Sequence, residues 1–110
     1  MDSATLARYE ARAKIVKALA HPARLLIVDE LSRCREKCVC HLTELVGSDM
    51  STVSRHLAVL RAAGIVRDEK RGAQVYYRLG ARCVAGFFGC VESVLEHNAR
   101  RQRRLCCAEE

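Results

Sequence analysis

With 110 residues the chain has room for one domain with a real core, but little for an enzyme with an enclosed pocket. Nineteen Lys and Arg against 13 Asp and Glu give a formal net charge of +6, which fits a polyanionic partner, nucleic acid first. No apolar run approaches the ~18 residues of a membrane span. Arg8, Glu10, Arg12 and Lys14 stand where a secretory signal would be apolar, so a cytoplasmic protein with no membrane partner is expected. Seven cysteines, an odd number in a reducing compartment, argue against a disulfide scaffold and for metal binding or redox chemistry.

A first helix is expected over residues 5–19, where breakers are absent and Leu6, Ala13, Val16 and Leu19 form a loose apolar stripe. His21-Pro22 ends it, and Pro22 suits the first position of a second helix, 22–32, whose buried face is Leu25, Leu26, Val28 and Leu31. The charged stretch 32–37 reads as a loop. Leu42, Leu45 and Val46 mark a short third helix, 40–46, closed by Gly47. Ser51 is a candidate cap for a fourth helix, with Val53, Leu57 and Leu60 at i, i+4 and i+7 and Gly64 as its stop. From Val66 to Leu79 the pattern changes to two strands around Lys70-Arg71-Gly72. The last long segment, 82–100, places Val84, Phe87, Phe88, Val91 and Leu95 on one helical side, which suits either a dimer seam or the monomer's own core. The tail, 101–110, is expected to be frayed and flexible.

Two helices joined by a short turn and followed at once by a basic hairpin give a winged helix-turn-helix, mainly α with a β-hairpin wing. One domain, 1–110, is expected, with the helix-turn-helix over 40–63 and the wing over 66–79. The fourth helix is the recognition helix. Val53, Leu57 and Leu60 must face the core, which turns Thr52, Ser54, Arg55 and Arg61 outward. Hydroxyls bond phosphates or bases and Arg forks onto guanine or phosphate, so Thr52, Ser54 and Arg55 are the base-side candidates, with Ser51 beside them. The bland reading is that Ser51 and Thr52 only cap and Arg55 only covers the surface. His56, next to Leu57, is the weaker candidate, since such a histidine is more often a hydrogen-bonder at the core edge. Lys70 and Arg71 at the hairpin tip suit the DNA backbone or minor groove, although any exposed tip can be charged.

The blocks Cys38-Val39-Cys40-His41-Leu42, Ser51-Thr52-Val53-Ser54-Arg55-His56-Leu57, Leu60-Arg61-Ala62-Ala63-Gly64-Ile65-Val66 and Val75-Tyr76-Tyr77-Arg78-Leu79 resemble, in this order, the ArsR/SmtB family of metal-sensing repressors. The resemblance covers residues 12–97. It implies a homodimer of five helices and a β-wing, with the first and last helices at the dimer interface, that holds double-stranded operator DNA until an inducer binds. Cys38-x-Cys40 resembles the arsenic- and cadmium-responsive branch. Thiolates suit soft ions independently of that likeness, and As(III) or Sb(III) favours three sulfurs, with Cd(II) or Pb(II) as further inducers. The third ligand stays open between Cys34, four residues upstream, and the tail pair Cys106-Cys107. Thr43 stands where the arsenic sensors carry another cysteine. Cys83 and Cys90, seven apart on the last helix, read as packing residues, with a second thiol pair as the alternative. The family's carboxylate and histidine site on the last helix does not carry over, because Ala81, Cys83, Val94 and His97 occupy its positions.

On a regular helix, residues two apart differ by about 200° around the axis, so Cys38 and Cys40 are expected to share an ion only if the first turn of the third helix opens. A redox or persulfide switch on the same thiols is the alternative within regulation. A structural zinc site from Cys34, Cys38, Cys40 and His41 matches no standard finger spacing. An enzyme is disfavoured, since no C-x-x-C occurs and the four histidines are scattered.

Overall fold

The computed structural model describes residues 1–108, the last two of these by backbone alone. The elements follow in the order α1 (Ser3–Leu19), α2 (Pro22–Arg33), β1 (Lys37–Cys38), α3 (Val39–Val46), α4 (Met50–Ala62), β2 (Val66–Arg71), β3 (Gln74–Leu79) and α5 (Ala85–Ala108). A single 3-10 turn, Arg82–Val84, leads into α5. The three strands form one antiparallel sheet in the order β1-β3-β2. This is a winged helix-turn-helix: α3 and α4 are the two helices, and β2 and β3 the wing.

Each helix start has a local cause. Asp2 caps α1 by accepting from the Thr5 N–H at 2.8 Å. The His21 Nδ1 accepts from Ala23 N–H at 3.0 Å, and Pro22 follows at the first helical position. Cys38 caps α3 and Asp49 caps α4. Between the last two, Gly47 turns the chain with a φ of +77°, a left-handed conformation that glycine adopts without a Cβ penalty. At the wing tip Gly72 does the same with φ +61°, and the two-residue turn Gly72-Ala73 sets Arg71 opposite Gln74.

The core gathers Ile27, Val28 and Leu31 of α2, Leu42 of α3, and Val53, Leu57 and Leu60 of α4. Ile65, Val66, Tyr77 and Leu79 close it from the sheet, and Ala18 and Leu19 from the end of α1. The recognition helix is therefore held by its apolar face while its other faces stay open. α1 and α5 contribute little, and apolar side chains remain exposed on both, including Val16 and Leu95. The radius of gyration is 17.5 Å, where a compact domain of this length has about 13 Å. At ~1.5 Å per residue the 24-residue α5 is about 36 Å long and accounts for much of the 62 Å maximum extent.

Four expectations are corrected. The sheet has three strands rather than two, because Lys37 and Cys38 pair with Tyr77 and Tyr76, so the loop expected over 32–37 is shortened at both ends. Ser51 is not the cap of α4: it lies within the first turn, and its hydroxyl donates to Asp49 Oδ2 at 3.3 Å. Asp49 stands immediately before the first helical residue, and its carboxylate accepts from the Thr52 N–H at 2.9 Å. α3 begins at Val39 with Cys38 already extended, at φ −75° and ψ 158°. The last helix, expected over 82–100, spans Ala85–Ala108. Leu57 is fully buried at the centre of the core, so Leu57→Ala should cost about 2–5 kcal/mol in urea unfolding, whereas a loss below about 1 kcal/mol would show that the core is not built around α4.

Candidate nucleic-acid interface and thiol site

The outer surface of α4 separates candidates that have partners from those that do not. Ser54 and Arg55 are exposed, and Thr52 is half-exposed. No carboxylate lies within ion-pair distance of Arg55 among the described residues. Arg61, by contrast, is bonded to Asp68 of β2 at 2.8 Å, which ties the end of α4 to the wing. His56 turns inward. Its Nδ1 accepts from Arg24 Nε–H at 3.1 Å, and its ring lies 4.3 Å from that of His21. Burial, then the charges of His21, Arg24 and Arg55, hold its pKa below the usual histidine range. His56 thus takes the core-edge place considered for it, beside α2.

The wing divides its two tip cations in the same way. Lys70 is exposed, with no carboxylate partner among the described residues. Arg71 forks onto Glu36 with bonds of 2.6 and 2.9 Å, reaches Glu69 at 2.8 Å, and lies 4.8 Å from the centre of the Tyr76 ring. Two carboxylates and an aromatic face thus engage the guanidinium of Arg71 at the exposed wing tip, where it clamps Glu36 to β2. The hydrogen bonds from Arg71 lower the pKa of Glu36, and those from Glu36 and Glu69 raise that of Arg71.

The thiols lie on the other side of that clamp. Cys38 ends β1 and begins α3, and its sulfur accepts from the His41 N–H at 3.4 Å. Cys40, the second residue of α3, donates its thiol to Gln74 Oε1 of β3 at 3.7 Å. Because Cys38 is extended rather than helical, the offset of about 200° on a regular helix does not apply between Cys38 and Cys40. Cys34 is the C-terminal cap of α2, and its thiol donates to Glu30 Oε1 at 3.4 Å. Cys106 is exposed on α5 among residues of its own helix, Asn98, Ala99, Gln102 and Arg103. The Cys107 side chain lies outside the described residues. Among the described residues no three metal-ligating side chains converge, so neither Cys34 nor Cys106 is assembled with the pair. Cys83 and Cys90, expected to pack, are exposed.

The model of "Bacterial regulatory protein, arsR family" matches residues 21–68, from the cap of α2 into β2. The "Arsenical resistance operon repressor" of Escherichia coli (strain K12) is 44% identical over 102 residues, covering 86% of this chain and 87% of the relative. The chain belongs to the arsR family of bacterial regulatory proteins. A "Cadmium resistance transcriptional regulatory protein CadC homolog" of Staphylococcus aureus is 40% identical over 67 residues, 61% of this chain and 55% of the relative. Among solved structures, the homodimeric winged helix-turn-helix DNA-binding domain Mb0332 of Mycobacterium bovis matches with a TM-score of 0.77 at 29% identity, over 92% of this chain and 93% of that one.

In this arsR-family regulator the sequence reading missed Asp49, Glu36, Gln74 and the His21–Arg24 pair. Asp49 was visible as an acid three residues before Thr52, the spacing of an N-cap. The others act across the fold, over separations of 32 to 35 residues, and have no local signal. The clamp has a pH signature. A carboxylate with a lowered pKa stabilises fully above its ordinary range and ceases to do so as pH falls through the lowered value. Hydrogen exchange at Lys37 and Cys38, corrected for intrinsic rates, should therefore quicken in acid. Glu36→Gln should show the quicker exchange already at neutral pH, with no acid step. Equal protection of the two proteins at neutral pH would mean that Arg71 does not hold β1.

Proposed function

We propose that this arsR-family transcriptional repressor binds operator DNA as a homodimer through α4 and the wing, and releases it when As(III) or Sb(III) is captured by the thiolates of Cys38 and Cys40. The observation that carries this reading is the position of the pair at the junction of β1 and α3, one thiol capping α3 and the other bonded to the wing. Thr52, Ser54 and Arg55 read base edges, and Lys70 touches the backbone. The dimer uses the apolar face left open by α1, α2 and α5, where Val16, Leu26, Phe87, Val91 and Leu95 line one groove. An unpartnered face of this kind on an extended terminal helix suits a second copy, and the Mycobacterium bovis neighbour is homodimeric.

Thiolate sulfur prefers soft ions, and the chain's likeness to an arsenical repressor and to a cadmium regulator fits that preference. Cd(II) and Pb(II) are therefore inducers of the same chemical class. Capture converts each sulfur from a hydrogen-bonding group to a ligand. Cys40 then has no proton to give Gln74, and Cys38 no longer serves the His41 N–H. The ion thus acts on the wing through β3 and on α4 through α3, whose Leu42 shares the core with Leu57. The third sulfur comes from Cys34, which must leave Glu30, or from Cys106 or Cys107 at the end of α5. A coupling of about 1–3 kcal/mol between ion and DNA is typical of such switches.

Arg55→Ala should weaken operator binding by about 1–3 kcal/mol and leave arsenite binding unchanged. Operator affinity equal to the parent's at the same salt would remove α4 as the reader. Lys70→Ala should lower the slope of log affinity against log salt by about one unit for each phosphate that is no longer neutralised. An unchanged slope would show that Lys70 does not touch the backbone.

Cys38→Ser and Cys40→Ser should keep the fold, the dimer and operator affinity in the absence of ion. Operator release by arsenite under reducing conditions should be lost in both. Release at the parent's arsenite concentration in both variants would place the switch elsewhere. Cys34→Ser and truncation before Cys106 compete as tests of the third ligand, and only one should raise the required arsenite concentration strongly.

A further inference from the structure

Where α2 begins beside α4, several hydrogen-bond donors surround one open groove that has no acid. His21, Arg24, Thr52, Arg55 and His56 line it, with Ala58 and Val59 as its apolar part. Both imidazoles use Nδ1 as an acceptor, His21 from Ala23 N–H and His56 from Arg24 Nε–H. In a neutral imidazole the proton then sits on Nε2, so each ring has one N–H left to give. Arg24 is fixed at two points, with Nε on His56 and Nη1 on the Ala18 carbonyl at 3.4 Å. Its Nη2 has no protein partner among the described residues.

Arg33, Arg61, Arg71 and Arg100 all have carboxylate partners, whereas Arg24 and Arg55 have none among the described residues. Two guanidinium groups therefore stand beside two imidazole N–H donors, with the Asp49 carboxylate at the start of α4 as the acid that acts on Arg55. The first turn of α2, capped by His21, adds the positive end of a 12-residue helix to the same place. These features together suit an oxyanion with several acceptors. Thr52 and Arg55 connect the groove to the outer edge of α4, which decides the kind of oxyanion.

We infer that this groove is a phosphate seat, which holds one backbone phosphodiester of the operator in each half-site and so fixes the angle at which α4 enters the major groove. The inference rests on the DNA-binding reading above and adds α2 to the elements that touch DNA. Inorganic phosphate shares the ligand chemistry, so the test must separate the two sources.

The probe is a duplex recovered from a random-sequence library by selection on the full-length protein. For the parent, Arg24→Gln and Arg24→Lys, affinity is measured against salt concentration, with thermal unfolding as the control for fold. Arg24→Gln should lower the salt slope by about two for the dimer, close to 0.9 for each phosphate neutralised, and Arg24→Lys should keep the parent's slope. His21→Asn retains a good N-cap and removes one donor. It should weaken binding several-fold with little change in slope, and it serves if Arg24→Gln does not fold. Neutral methylphosphonate linkages, scanned along the duplex, should include one position per half-site that weakens the parent about ten-fold and His21→Asn much less. An unchanged slope in folded Arg24→Gln, or the absence of such a position, overturns the seat. If inorganic phosphate at constant ionic strength raises the parent's Tm while both Arg24 variants bind the duplex like the parent, the groove holds a free anion and the DNA assignment is overturned. A parent that selects no duplex at all contradicts the DNA-binding reading itself.

Discussion

The short antiparallel pairing of Lys37 and Cys38 with Tyr77 and Tyr76 is the constraint on which the regulatory geometry depends. Two residues of strand would be marginal alone, but the pairing is reinforced at both ends. Arg71 reaches back to Glu36 on one side, and Cys40 reaches Gln74 on the other. The consequence is that β1, which carries Cys38, and the wing form one sheet. Cys38 then occupies a double role, as the last residue of β1 and as the cap whose sulfur accepts from the first turn of α3. A change in the bonding of that sulfur alters a strand end and a helix start at once. α3 shares the core with α4, and β1 pairs with the wing.

The distribution of cations has the same logic. The chain carries more basic than acidic side chains, yet its acids are used selectively. Asp68 holds Arg61, Glu36 and Glu69 hold Arg71, and Glu96 holds Arg100. Arg24, Arg55 and Lys70 belong to the larger set of cations without such partners among the described residues, and the two arginines line a groove next to α4. Paired cations in this protein shape the fold. Unpaired ones are available to an external polyanion, where release of counter-ions supplies affinity without sequence preference. On the proposed function, base recognition falls to the few side chains on the open face of α4.

Much of this architecture was legible in the sequence because its causes are local. Val53, Leu57 and Leu60 at helical spacing, Pro22 after a helix end, Gly47 and Gly72 at turns, and the β-branched and aromatic run from Val75 each act within a few residues. The core face of α4 followed from that spacing. What was not legible depends on distant partners. A two-residue strand has no periodicity to detect, so β1 reads as loop. Arg71 looks like a free wing cation because Glu36, its partner, lies 35 residues away. The thiol pair is visible in its spacing and chemistry, but the angular conflict between Cys38 and Cys40 exists only on a regular helix, and Cys38 is extended. Ser51 suits either the cap or the first turn by its place beside Val53, and only the backbone puts Asp49 at the boundary.

Linkage gives the most direct test of the claim that ion and DNA compete through this junction. Arsenite is titrated into reduced protein under nitrogen, followed by thiolate–arsenic absorbance, with and without saturating operator duplex. The account predicts that operator weakens arsenite binding by the same factor by which arsenite weakens operator binding, within the 5- to 150-fold range of about 1–3 kcal/mol. Equal arsenite affinity for the free and the DNA-bound protein would contradict it.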